Sequence, residues 1–265
     1  MVERTNRADR LQHARSTLRD ADPVLARLID DRPDFDPDAW LAQLPPMDLY
    51  GALLFQVVGQ QLSVAATRRI LARIEALFDG RLPTPAELLD VDPVTLRATG
   101  LSRRKVTTLR DLAGRLTDGR LDVDILSGLP DDQIITELTA ISGIGPWTVQ
   151  GALILALHRE DVVLPGDLAL RKAVRAAYRL DDLPTPQEVL AIADAWRPYR
   201  SLATGYLFSA AFDTANYHRP QGTRRNPATA APIPVPAARS EPVDSWAPPC
   251  RSTSSATVPT EVQRM

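Results

Sequence analysis

Asp167 closes the run Val163-Leu164-Pro165-Gly166-Asp167 and precedes Leu168, Leu170, Val174 and Tyr178, whose spacing predicts a helix. Its carboxylate therefore stands at a helix N-terminus, where the dipole favours negative charge. An anion so fixed can stabilise an electron-poor sugar and orient or deprotonate a water. Upstream lies a tight turn, Ser142-Gly143-Ile144-Gly145, between an apolar helix end at Leu138 and a second helix opening on Pro146-Trp147. Glycine tolerates positive φ and close backbone approach, and proline suits the first helical turn with Gly145 as cap. The orphan N–H groups of such a turn suit a phosphate oxygen. Gly143, Ile144 and Gly145 are thus candidate contacts to a nucleic-acid backbone, holding it without reading sequence.

Spacing links the two features. A helix from Pro146 to about His158 advances roughly 20 Å, and a more extended run from Arg159 to Pro165 covers about the same distance back. Asp167 is expected to return beside the hairpin.

The elements that must position them read as helices. Asp48 and Ser63 can cap two successive helices, one ending at Gly59 and the other stopping by Gly80, with Gln60, Gln61 and Leu62 at the junction. Thr84-Pro85-Ala86-Glu87 and Thr185-Pro186-Gln187-Glu188 have capping-box form. A helix from Pro93 closes at Gly100, and Ser102 caps a basic helix to about Leu116. Pro130 starts the helix that leads into the hairpin, a short helical turn surrounds Trp40, and Pro198 opens the last long helix. No alternating strand pattern occurs, so the fold class is all-α. Residues 1–20 are polar and expected to be flexible, 21–218 form the catalytic domain, and 219–265 read as a disordered Pro/Ala/Ser-rich tail.

Composition removes several function classes. The only cysteine is Cys250, which excludes an internal disulfide and a four-cysteine iron–sulfur cluster. His13, His158 and His218 lack ligand-like spacing, so neither a metal nor another cofactor is expected. No run is long enough to span a bilayer, and the N-terminus lacks signal or transit character. The expected setting is the cytoplasm, in association with the nucleoid. A net charge of −2 is unusual for a nucleic-acid binder, so any favourable field must be local. Arg103-Arg104-Lys105 with Arg110 is the best source, which makes Arg103 and Lys105 candidate DNA contacts.

Four motifs in order carry a resemblance over roughly residues 20–215: Val58-Gly59-Gln60-Gln61-Leu62-Ser63, Gly100-Leu101-Ser102-Arg103-Arg104-Lys105, the hairpin from Leu138 to Thr148 with Val163 to Asp167, and Trp196-Arg197-Pro198-Tyr199-Arg200-Ser201. The chain resembles the helix-hairpin-helix DNA glycosylases, in particular the alkylpurine branch, 3-methyladenine DNA glycosylase II, in a short form without an N-terminal sheet domain. The resemblance implies two helical lobes around a central cleft and a monomer acting on double-stranded DNA that contains alkylated bases. It assigns catalysis to Asp167 and the base pocket to Trp147 and Tyr199. Gln60, Gln61 and Leu62 would meet the duplex, with Gln61 at the wedge position and Leu62 its rival. Relatives that also nick the strand carry a lysine where this chain has Trp147, which implies a monofunctional enzyme. Gly151 replaces a tyrosine of the best-known bacterial relative, which implies a wider pocket. Two other readings remain, a noncatalytic binder of damaged DNA and a glycosylase for oxidised or mismatched bases.

Overall fold

A computed structural model describes residues 2–37, 44 and 46–216; for residues 2–6 and 212–216 it describes backbone alone. These lie in one compact unit, Met1–Val235. The expected turn at Trp40 and the tail fall outside the described residues.

Thirteen helices occur among those residues: α1 Val2–Ala21, α2 Pro23–Asp30, α3 Leu49–Gly59, α4 Val64–Glu75, α5 Pro85–Asp90, α6 Pro93–Ala98, α7 Arg103–Thr117, α8 Val123–Ser127, α9 Asp131–Thr139, α10 Pro146–Leu155, α11 Leu168–Tyr178, α12 Pro186–Ala193 and α13 Arg200–Asn216. A 3₁₀ turn spans Asp194–Trp196, and no strand is present among the described residues. Local chemistry sets most starts. Asp48, Ser63, Thr84, Ser102 and Thr185 each accept a first-turn backbone N–H, and both capping boxes form. The last helix begins at Arg200 rather than Pro198, because Tyr199 first turns back to donate its N–H to the Trp196 carbonyl.

Two apolar cores organise the helices. The first gathers α3 to α10, from Leu49 to Val162, so one unbroken stretch of chain builds this lobe. The second joins Ala14 and Leu18 of α1 and Val24, Leu25 and Ile29 of α2 to Val163, Leu164 and the buried faces of α11, α12 and α13. The chain passes from one core to the other between Val162 and Val163, a few residues before Asp167. The segment expected to be flexible runs as helix α1. Although α1 is polar overall, Ala14 and Leu18 are buried against the second core. Leu11 packs beside them, and Arg15 donates to the Tyr206 hydroxyl at 2.9 Å and to the Phe35 carbonyl at 2.6 Å, so one face docks a helix whose other faces are solvated.

Candidate active site

Asp167 is the N-cap of α11: its Oδ1 accepts the Leu170 N–H at 2.8 Å. Its Oδ2 accepts the Trp147 indole Nε1–H at 2.9 Å. The carboxylate is held through both oxygens yet stays partly exposed. The indole comes from the first turn of α10 in the first lobe, and its ring packs against the second core. The bond therefore spans the seam between the lobes.

The return of the chain is clamped where it crosses. Arg200 donates Nε–H to Asp161 Oδ1 at 2.5 Å and Nη2–H to the Asp161 carbonyl at 2.6 Å. Ser201 donates its hydroxyl to the Arg159 carbonyl and accepts the Val162 N–H. Arg197 adds an ion pair to Asp161 at 2.7 Å. The motif Trp196 to Ser201 thus fixes the segment that delivers Asp167. Tyr199, in its middle, lines a cleft of about 790 Å³ together with Gln56, Gly151, Ile154, His158 and Thr204. His13 of α1 meets the Tyr199 ring edge-on at 6.2 Å. The fold thus brings His13 against Tyr199 and His158 into the cleft lining. Neither has a motif around it, because both arrive through lobe packing.

The hairpin is braced from two sides. Gly143 has φ +94°, and a Cβ there would lie 2.0 Å from Thr108 Oγ1; that hydroxyl donates to the Ser142 carbonyl at 2.9 Å. The Gln60 amide donates to the Gly143 carbonyl at 2.9 Å and to Thr148 Oγ1 at 3.0 Å. Gly145 faces open space; Pro146 has no N–H and Thr148 and Val149 donate to the Gly145 carbonyl, so an incoming phosphate can reach the N–H groups of Gly145 and Trp147.

Several expected contacts are corrected. Ile144 is 4 % exposed and its N–H donates to the Ile141 carbonyl, so its side chain anchors the turn in the core. Gln60 is a strut between the junction and the hairpin. Lys105 donates Nζ–H to the carbonyls of Val58 at 2.8 Å and Gln60 at 2.9 Å. It satisfies the carbonyl end of α3, where a cation is favoured, although desolvation lowers its pKa from the ordinary lysine value. Arg110 caps α5 in the same way, through the carbonyls of Leu88, Leu89 and Val91. Arg171 donates to the Pro184 carbonyl at 2.6 Å and does not pair with Asp167. Exposed side chains remain at Arg103, Arg104, Gln61 and Leu62, with Gln61 in the left-handed region at φ 60°. Gly151 does not widen the cleft, since a Cβ there would fall 2.2 Å from Gln56 Nε2; the glutamine amide fills the space.

A family model described as HhH-GPD superfamily base excision DNA repair protein matches residues 55–198. The chain is 35% identical over 173 residues to DNA-3-methyladenine glycosylase 1 of Schizosaccharomyces pombe, covering 64% of this chain and 75% of that protein. It is 29% identical over 161 residues to DNA-3-methyladenine glycosylase 2 of Escherichia coli, covering 57% and 54%. The structure of the S. pombe enzyme Mag1 in complex with abasic DNA superposes with a TM-score of 0.69 at 31% identity, over 78% of this chain and 98% of that one.

Proposed function

Because this chain belongs to the HhH-GPD superfamily of base excision DNA repair proteins, we propose that it is an alkylbase DNA glycosylase. It rotates an alkylated purine out of the duplex, hydrolyses the N-glycosidic bond and leaves an abasic site. The observation that carries this reading is the Asp167 carboxylate, fixed by the Leu170 N–H and the Trp147 indole at the lobe seam.

The geometry supplies each step. The N–H groups of Gly145 and Trp147 hold a phosphate, while exposed Arg103 supports the strand. Gln61 and Leu62, exposed at the junction, fill the space the base vacates. Methylation at N3 or N7 makes the purine cationic, and the faces of Trp147 and Tyr199 favour such a ring. As the bond to the sugar lengthens, positive charge grows on the deoxyribose, and Asp167 stabilises it where water is excluded. The same carboxylate orients the water that completes hydrolysis.

The enzyme is monofunctional in this reading. Strand nicking through a Schiff base needs an amine at the sugar, and the chain has only two lysines. Lys105 is committed to the end of α3. Lys172 borders a separate surface hollow with Arg175 and Arg179. The protein acts as a monomer on double-stranded DNA.

The test is release of free 3-methyladenine and 7-methylguanine from methylated duplex DNA, followed by mass analysis, with Asp167→Asn as control. Base release with intact strands fits the proposal. Binding without release would make the protein a damage binder, and full activity of Asp167→Asn would remove the mechanism.

A further inference from the structure

Two polar side chains in the cleft, Gln56 and Thr204, find no hydrogen-bond partner among the described residues. Gln56 of α3 is 9% exposed and lines the cleft, and among the described residues its amide makes no hydrogen bond. Most buried polar side chains in folded proteins are paired. Its helix neighbours Leu53, Leu54, Val57 and Val58 are apolar and buried, so packing alone would be served by another aliphatic residue here. The amide lies over Gly151, with Nε2 at 2.2 Å and Cδ at 2.5 Å from where a Cβ would stand. Gly151 follows Trp147 on the same face of α10, one turn deeper or about 6 Å. Gln56 and Gly151 share the cleft lining with Tyr199, while Trp147, one turn away, and Asp167 stand outside that lining, so a base that enters between Trp147 and Tyr199 meets Gln56 at its far edge. From the second lobe the same cleft is lined by Thr204, whose buried hydroxyl also lacks a partner among the described residues.

We propose that Gln56 is a specificity residue that hydrogen-bonds the polar edge of the extruded purine; this rests on the glycosylase reading and deepens it. A carboxamide presents a donor beside an acceptor and matches either order by flipping. It can meet an amino group next to a ring nitrogen, as on adenine-type bases, or a carbonyl next to a ring N–H, as on guanine types. Being neutral, it selects for edge pattern and leaves the choice of a cationic ring to the aromatic faces. Gly151 is what makes this possible, because any side chain there displaces the amide.

The experiment uses the full chain with Gln56→Met, which keeps length and removes hydrogen bonding. Three quantities are compared with wild type: release of 3-methyladenine and 7-methylguanine from methylated DNA, inhibition by free 3-methyladenine, and affinity for abasic duplex. The expected result is a fall in kcat/KM of about tenfold per lost hydrogen bond, free-base inhibition weakened in proportion, and unchanged abasic-DNA affinity. Gly151→Ala reproduces the pattern with the glutamine still present, which separates displacement of the amide from misfolding of one variant. Release and free-base inhibition that stay within about twofold of wild type in both variants, less than one hydrogen bond is worth, overturn the assignment. A wild-type protein that releases no base overturns the glycosylase reading itself, a result seen before any variant is made.

Discussion

Asp22 and Asp167 are built alike and serve opposite ends. Each is an N-cap whose Oδ1 accepts backbone N–H groups, from Val24 and Leu25 in one case and from Leu170 in the other. Each offers Oδ2 to a tryptophan indole, Trp196 at 3.1 Å and Trp147 at 2.9 Å. Burial separates them. Asp22 is 4% exposed, and its Oδ2 also accepts the Tyr178 hydroxyl in a closed triangle with Trp196. That proximity, with desolvation as the larger cause, pushes the Tyr178 phenol well above its ordinary pKa. Among the described residues Asp167 has no third partner, and its carboxylate stays partly exposed. A carboxylate with every acceptor site filled holds helices together; the same motif with room left over can face a substrate.

This contrast can be broken at four points. Asp167→Asn keeps the cap in part but removes the charge, so kcat/KM for base release falls by about a thousandfold while the melting temperature is nearly unchanged. Asp22→Asn leaves a buried network mismatched and destabilises by about 2–4 kcal/mol. Denaturant unfolding measures that loss, and the rate per folded molecule is retained.

The tryptophans sharpen the comparison with smaller effects. Trp147→Phe keeps a ring face and loses the N–H, lowering kcat about tenfold, the value of one hydrogen bond to a charged group partly replaced by water. Trp196→Phe costs about 1–3 kcal/mol of stability by leaving Asp22 short of a donor, with base release intact. Unchanged catalysis in the first or lost catalysis in the second would erase the distinction between the two sites.

The smallest effect belongs to an exposed cap with no second duty. The Arg81 guanidinium, with the Thr84 N–H, holds the Glu87 carboxyl down at about 2. Its folded pKa lies below the unfolded value, so its contribution is complete above the ordinary 4.5 and is lost as pH falls towards 2. In Glu87→Gln the melting temperature should lose this part of its acid dependence and little else.

Helix starts were legible because capping is local. Asp48, Ser63, Thr84, Ser102, Thr185 and Asp167 act within their own first turns, and the return of Asp167 to the hairpin followed from helix rise and chain length. Carbonyl ends of helices were not legible in the same way. The last carbonyls of α3 and α5 need donors, and Lys105 and Arg110 arrive from another helix altogether. A basic run was therefore read as a field for DNA, although two of its members face inward. The bracing role of Gln60 was hidden for the same reason, since its partners Gly143 and Thr148 lie outside the motif that drew attention to it. Docking of α1 through Ala14 and Leu18 was hidden by the polar character of the rest of that helix.

The sequence by itself determined an all-helical chain, the hairpin, its glycines and the aspartate at a helix start, because these depend on backbone sterics and on bonds within a few residues. Tertiary structure alone decided that Trp147 would hold Asp167, that Asp22 would be sealed away, and that Gln56 would lie unpaired over Gly151. Those outcomes depend on which side chains meet across the seam between two cores, and no spacing along the chain encodes a distance through space.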